Sequence, residues 1–186
     1  MQRLAFSIVL TLSLALASAL AHAAIELTPT SSGASLNDQI ELLEDTSGQL
    51  TIADMADPAV QNRFTPANGR ATVGQSRNPW WIKVTLRRTA DAPTQWWLEN
   101  AGITIFNLQL YLPNGQGGWT VRETGEAVPY LDGRDYAYRR MVFQLPEIGE
   151  QPLTLYFRSL DPAGNSFPLK IWQLPDLAQL AGNENI

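Results

Sequence analysis

The fold is decided by an alternating stretch, Trp80-Trp81-Ile82-Lys83-Val84-Thr85-Leu86-Arg87-Arg88. One face of this stretch carries Trp80, Ile82, Val84 and Leu86, and the other carries Trp81, Lys83, Thr85 and Arg87. A period of two predicts a β-strand with one face in a core and the other turned outward. A helix would instead repeat its apolar positions every three or four residues.

Further stretches with strand character lie on both sides of this one. They are Thr94–Glu99, Ile103–Leu112, Trp119–Glu123, Arg140–Leu145, Leu153–Arg158 and Pro168–Leu174. Within Ile103–Leu112, we place Phe106 with Leu108, Leu110 and Leu112, opposite Asn107, Gln109 and Tyr111. The 12 prolines and 13 glycines are spread through the chain, which favours short elements joined by turns. The pattern predicts an all-β sandwich or barrel, with short helices over Ile52–Pro58 and Asp176–Leu180.

The N-terminus has the pattern of an export signal. Arg3 precedes an uncharged apolar run, Leu4–Leu20, which ends at Ala21-His22-Ala23. This run is short for a membrane-spanning helix and is followed by a small-residue cleavage pattern. We therefore expect a cleaved signal peptide over 1–23 and a periplasmic or secreted product. The expected organisation is a flexible lead-in over 24–39, a sandwich over 40–175 and a tail over 176–186.

Charge and composition exclude several classes of function. The chain carries a net charge of −5, and removal of Arg3 with the signal peptide makes it −6. This acidic balance argues against nucleic acid and anionic membranes as partners. Cysteine is absent, and the single histidine, His22, lies in the expected signal peptide. The mature chain would thus lack the groups for disulfides, thiol catalysis, a Ser-His-Asp triad, or zinc held by Cys or His.

An ordered series of motifs resembles one known family. The pieces are Glu41–Gly48, Leu50–Ile52, Gly74–Ser76, Trp80–Leu86, Trp97–Glu99, Leu108–Pro113, Gly125, Leu155–Arg158 and Pro168–Trp172. In this order they resemble the type-two extracellular sensor domain of bacterial seven-transmembrane receptors with diverse intracellular signalling modules. The resemblance implies a periplasmic jelly roll similar to carbohydrate-binding modules. In that family a membrane-embedded signalling part follows the domain, whereas this sequence stops at Ile186, so a stand-alone relative and part of a longer product both remain open.

Aromatic and polar side chains on the predicted outward faces form the candidate ligand site. Flat aromatic rings can stack on a sugar ring while polar neighbours fix its hydroxyl groups. The predicted ligand-binding residues are Trp81, Lys83, Arg87, Trp97, Glu99, Asn107, Gln109, Tyr111, Tyr136, Tyr156 and Arg158. Trp172 is also predicted to face outward, and any of these aromatic residues could instead serve packing.

The loop Tyr130–Tyr138 is a second recognition candidate. It combines three tyrosines and an arginine with Asp132 and Asp135, which suits specific contacts. The two aspartates are the one close acidic pair in a flexible setting, too few to predict a calcium site of the EF-hand kind. We predict no metal and no cofactor.

The sequence leaves two functions open and argues against a third. The preferred one is a sensor module that binds a glycan or small polar ligand and, in its family context, feeds a membrane receptor. The alternative is a protein–protein interaction module that docks to a receptor or another sensor domain. Catalysis by a carboxylate pair, with Glu99 beside Glu123, Asp132 or Asp135, would need no histidine, but no motif selects such a pair, so we predict a non-enzyme.

Overall fold

A computed structural model describes residues 24–102, 105–126, 128–129, 133 and 135–184 of the chain. The expected signal peptide and part of the 130–138 loop therefore lie outside the described residues. The strands are β1 Ile25–Leu27, β2 Glu41–Glu44, β3 Thr65–Pro66, β4 Thr72–Gly74, β5 Trp80–Arg88, β6 Trp97–Asn100, β7 Asn107–Pro113, β8 Trp119–Thr124, β9 Met141–Gln144, β10 Leu153–Leu160, β11 Asn165–Ser166 and β12 Leu169–Trp172. A 3-10 helix spans Ile52–Ala56, and α-helices span Pro58–Gln61 and Leu174–Glu184.

The strands form two main sheets. The larger sheet has the order β3-β2-β5-β10-β7-β8, and the smaller sheet has the order β12-β6-β9. A short pair, β4 and β11, stands apart from both. The central strand β5 pairs antiparallel with β10 along one edge. Its other edge is shared by β2, which pairs antiparallel with the first half, and by β1, which pairs parallel with the second half.

The main core lies between the two sheets. It takes Ile82, Val84 and Leu86 from β5, as the alternation predicts. The facing sheet contributes Leu98 and Phe143. Other members of the same core are Leu108, Leu110, Leu112, Leu155, Phe157, Trp96, Leu169 and Ile171. Two mainly antiparallel sheets that share one apolar core make an all-β sandwich, so the predicted fold class is confirmed.

A second apolar layer covers part of the outer face of the larger sheet. It is formed by residues 50–64, which we call the cover segment. Met55, Val60 and Phe64 of this segment pack on Trp81 and on its neighbours Leu43 and Tyr156. The indole of Trp81 is consequently 0% exposed, although the alternation correctly assigns it to the face opposite the main core.

Local hydrogen bonds explain why the chain turns into the cover segment. The buried carboxylate of Asp45 accepts bonds from the backbone N–H groups of Ser47, Gly48 and Leu50. Gly48 has φ of +68°, a conformation that glycine adopts without a steric penalty. This bonding closes the turn in the Glu41–Gly48 motif and starts the cover segment beside β2.

The start of β7 and the length of the C-terminal helix differ from those predicted from the sequence. β7 begins at Asn107, so the alternation does not extend to Phe106, which is 47% exposed while Ile105 is buried. The carboxylate of Asp161 accepts the N–H of Phe106 at 3.2 Å and holds this backbone outside the ladder. The C-terminal helix spans 11 residues rather than the predicted five, because Leu177 and Ala181 both find apolar partners on the smaller sheet.

Gly125, part of the family-like motif series, has no room for a side chain. Its φ is +129°, and an added Cβ would overlap the carbonyl oxygen of Phe106 and lie 2.9 Å from that of Ile105. We expect Gly125→Ala to lower the free energy of unfolding by about 2 kcal/mol or more, measured by urea denaturation. Gly149→Ala is the control, because its nearest neighbour would be 3.8 Å away. Equal stability of the two variants would contradict this packing.

Candidate functional site

The structure divides the predicted site residues between two surfaces. The outer face of the larger sheet holds Trp81, Lys83, Arg87, Asn107, Gln109, Tyr111, Tyr156 and Arg158. The outer side of the smaller sheet holds Trp97, Glu99 and Tyr136. The outer faces of two stacked sheets point in opposite directions. No single groove can therefore gather all of these residues.

Strand register brings the first group together. Tyr156 of β10 is the cross-strand partner of Lys83 on β5 and of Tyr111 on β7. One step along the same face, Arg158 lies between Trp81 and Gln109. Directly opposite residues have Cβ atoms about 5 Å apart, so these rows place aromatic and polar side chains side by side.

Trp81, Lys83 and Arg87 each have a partner that holds the side chain in place. The ring centroid of Trp81 lies 5.5 Å from that of Tyr111, within the layer under the cover segment. The ammonium of Lys83 pairs with Glu41 at 2.9 Å. Arg87 lies at the far end of β5 and pairs with Glu26 at 2.6 Å.

An open cleft lies between the first part of the cover segment and the strands β8 and β10. Its volume is about 530 Å³. The lining residues are Ile52, Ala53, Met55, Ala56, Gly117, Trp119, Thr154 and Tyr156, and we call this space the aromatic cleft. The rings of Trp119 and Tyr156 meet edge to face, with centroids 5.6 Å apart. The cleft therefore combines apolar walls with an aromatic corner.

The hydroxyl of Tyr156 is held in this corner by Gln61 of the cover segment. Its hydroxyl accepts a hydrogen bond from Gln61 Nε2 at 3.1 Å, and the same amide donates to the carbonyl of Met55 at 2.7 Å. Burial raises the pKa of Tyr156 above its usual value, while the bond from Gln61 opposes that shift. The phenol is thus a neutral, positioned group at the edge of the aromatic cleft.

A chain of polar side chains continues along β7 and β8 beside the cleft. Asn107 Nδ2 donates to Glu123 Oε1 at 2.6 Å, and Gln109 Nε2 donates to the same oxygen at 3.4 Å. The hydroxyl of Tyr111 donates to Gln109 Oε1 at 2.9 Å. We call Asn107, Gln109, Tyr111 and Glu123 the polar row. Its side chains hold one another in place while they remain partly or fully open to solvent.

Sequence reasoning missed Trp119, Thr154 and Glu123 as members of this surface. Trp119 and Glu123 belong to a stretch that was correctly predicted as a strand. They share the outer face because Glu123 pairs with Gln109, and two-residue steps along β8 then lead to Trp119. That register was the missing information, because alternation within one strand does not show which sheet face it joins.

On the opposite surface, Glu99 is held in structural contacts, and Trp97 lines a smaller pocket of about 280 Å³. Glu99 is 0% exposed, and its carboxylate accepts bonds from Arg140 at 2.9 Å and from the indole N–H of Trp172 at 2.6 Å. Arg140 also pairs with Glu184 of the C-terminal helix, and Tyr138 donates to the same carboxylate. Trp97 packs with Leu177 of this helix and with Tyr136.

The acidic residues considered for catalysis or metal binding do not form one cluster among the described residues. Glu99 and Glu123 lie on the outer sides of different sheets, so they do not face a common substrate. Asp132 is outside the described residues, and Asp135 accepts the N–H of Gln144 at 3.0 Å. Among the described residues, no group of three or more His, Cys, Asp or Glu side chains could hold a metal ion.

Two comparisons with known proteins bear on this arrangement. A family model described as 7TMR-DISM extracellular 2 matches residues 37–173, which is most of the chain. The resemblance inferred from the motif series is therefore confirmed. A search of curated proteins gave no match. Across the described residues, none of the helices has the length and apolar character needed to span a membrane.

The Glu99–Arg140 pair predicts a large loss of stability when one partner is removed. We expect Arg140→Ala to cost about 3–5 kcal/mol in urea denaturation, because it leaves a buried carboxylate without its cation. The double variant Glu99→Gln/Arg140→Ala should recover part of this loss, since the buried charge is then absent. A single variant as stable as the parent would show that the pair carries little of the contact with the C-terminal helix.

Proposed function

We propose a ligand-recognition function for this chain, which belongs to the 7TMR-DISM extracellular 2 family, the extracellular sensor domains of seven-transmembrane receptors. The proposed ligand is a glycan or small polar molecule. The proposed site is the aromatic cleft together with the adjoining polar row. In this proposal the domain works outside the cytoplasm, in the periplasm or as a secreted protein, and its occupancy informs a membrane receptor.

The observation that carries this proposal is the continuity between the aromatic and polar surfaces. Tyr156 lines the cleft, and its cross-strand neighbour Tyr111 begins the polar row. A sugar ring has apolar C–H faces that can lie against aromatic rings, and hydroxyl groups that need donors and acceptors at its rim. The ring of Trp119 supplies the first kind of contact, and Gln109 and Glu123 supply the second.

The same surface supports binding rather than catalysis. The carboxylate of Glu123 accepts hydrogen bonds from the amides of Asn107 and Gln109. Glu99, the carboxylate suggested as its catalytic partner, lies on the other side of the sandwich. A glycosidase needs two carboxyl groups on either side of one bond, about 5–10 Å apart. The open face of the larger sheet offers stacking and hydrogen bonding, which are the requirements of recognition.

Protein docking is a second candidate, favoured by one observation. β8 is the last strand of the larger sheet, and Val121 on this edge is 48% exposed. An edge strand with open backbone groups can accept a strand from a partner. The partner would be a receptor or another sensor domain, and binding would follow the β8 backbone rather than the aromatic cleft.

Trp119→Ala tests the preferred function. We would measure melting temperatures of the chain with cellotriose, chitotriose, muramyl dipeptide and trigalacturonic acid. A compound that binds only the folded state raises the melting temperature by mass action. We expect at least one saccharide to do so, and Trp119→Ala to weaken that binding by about 1 kcal/mol, or roughly fivefold, through loss of an aromatic contact.

Thr120→Ala is the matched control, because Thr120 is exposed on the same strand but lies on the opposite face from Trp119. It should leave the saccharide effect unchanged. A cooperative melt that no saccharide raises would contradict the preferred function and favour docking at β8. A saccharide effect that persists fully in Trp119→Ala would move the site away from the aromatic cleft.

A further inference from the structure

Arg158 is the cation on the outer face of the larger sheet that lacks an acceptor within the part of the chain the structure describes. It lies on β10, partly buried, with its guanidinium carbon 6.0 Å from the ring of Trp81. Lys83, two strands' width from the polar row, is paired with Glu41, and Arg87 is paired with Glu26. Among the described residues, Arg158 therefore differs from Lys83 and Arg87 in having no carboxylate partner.

A partly buried guanidinium with no acceptor among the described residues is suited to bind an anion. Arginine presents five N–H donors in a planar fork that matches a carboxylate with two parallel hydrogen bonds. The Arg158 nitrogens are not among the fully buried polar atoms without a partner, so a ligand can reach them. A carboxylate would exchange their contacts with water for charge-assisted hydrogen bonds. The ring of Trp81 lies under the group, so contact with this aromatic face restrains the fork before any ligand arrives.

We propose that Arg158 binds the carboxylate of an acidic sugar, and so sets the ligand class of the recognition site. This inference rests on the proposed function, because it assumes that the ring of the same sugar occupies the aromatic cleft. The ligand would be a uronic acid or another monocarboxylated saccharide. Arg158 would select its charge, while Trp119 and Tyr156 would contact its ring.

The spacing along β10 fits a ligand of this size. Thr154, Tyr156 and Arg158 alternate onto one face, and each two-residue step advances the strand by about 6.7 Å. Thr154 and Tyr156 line the cleft, and Arg158 is the next side chain beyond it. A sugar ring held against Tyr156 would thus reach Arg158 with a substituent on its rim. Gln109, the cross-strand neighbour of Arg158, offers an amide to an adjacent hydroxyl group.

The surrounding charges favour a single negative charge over a double one. Gln109 lies between Arg158 and Glu123 in the register, so a carboxylate already stands two strands from the guanidinium. A phosphate monoester carries a charge of about −1.5 to −2 at neutral pH. One guanidinium cannot balance that charge, and Glu123 would repel the excess. A carboxylate brings the one charge that Arg158 can neutralise.

The experiment compares galacturonic acid, which carries one carboxylate, with its methyl ester, which has the same ring structure but no charge. Affinities would be measured by isothermal titration calorimetry for the parent chain, Arg158→Gln and Arg122→Gln. Arg122→Gln is the control, because it removes the same charge from a half-exposed side chain on the opposite face of β8. We expect the parent to prefer the acid, and Arg158→Gln to weaken acid binding about tenfold to a hundredfold.

Arg158→Gln should leave binding of the ester unchanged, and Arg122→Gln should leave both affinities unchanged. Arg158→Lys should recover only part of the loss, because an ammonium keeps the charge without the planar fork. Equal binding of acid and ester, still sensitive to Trp119→Ala, would overturn this inference and leave the proposed function standing. Equal weakening by Arg158→Gln and Arg122→Gln would also overturn it, since a general charge effect would then explain the preference.

Discussion

The burial of Trp81 between the larger sheet and the cover segment is the contact on which the rest of this structure depends. The central strand β5 has apolar contacts on both faces, with Ile82, Val84 and Leu86 in the main core and Trp81 in the second layer. This second layer holds residues 50–64 over part of the outer face. The open remainder of that face then becomes a cleft bounded by the cover segment rather than a flat sheet. The candidate site is therefore a consequence of how β5 is buried.

The two outer surfaces use polar groups in opposite ways. On the smaller sheet, Glu99, Arg140, Trp172 and Glu184 satisfy one another and hold the C-terminal helix in place. Such a closed network has little capacity left for a ligand. On the larger sheet, the polar row is ordered by its own hydrogen bonds but stays accessible, and the neighbouring Arg158 has no acceptor among the described residues. Side chains that are already ordered but can still accept or donate hydrogen bonds suit recognition. They lose little conformational entropy when a ligand binds.

The fold was largely predictable from the chain, and the site only partly. Alternation in β5, β9 and β10 identified the inward residues correctly, because apolar side chains occupy successive inward positions, such as Ile82, Val84 and Leu86. It could not distinguish an outward side chain that faces solvent from one covered by a distant segment, which is why Trp81 was grouped with open residues. It also could not assign strands to sheets, so Trp97 and Glu99 were placed with Tyr111 and Tyr156. Phe106 was misplaced because a side chain, Asp161, held its backbone outside the ladder.

We propose that ligand binds the open part of the larger sheet, beside the cover segment. The most direct test is the amide and indole N–H spectrum of the isotope-labelled chain with the saccharide that raises its melting temperature most. The signals of the six tryptophans can be assigned from single Trp→Phe variants. We expect the signals of the Trp119 indole and of the β7, β8 and β10 backbone to shift, while those of Trp97 and Trp172 stay in place. Shifts at Trp97 and Trp172 with an unmoved Trp119 would contradict it and assign binding to the smaller sheet.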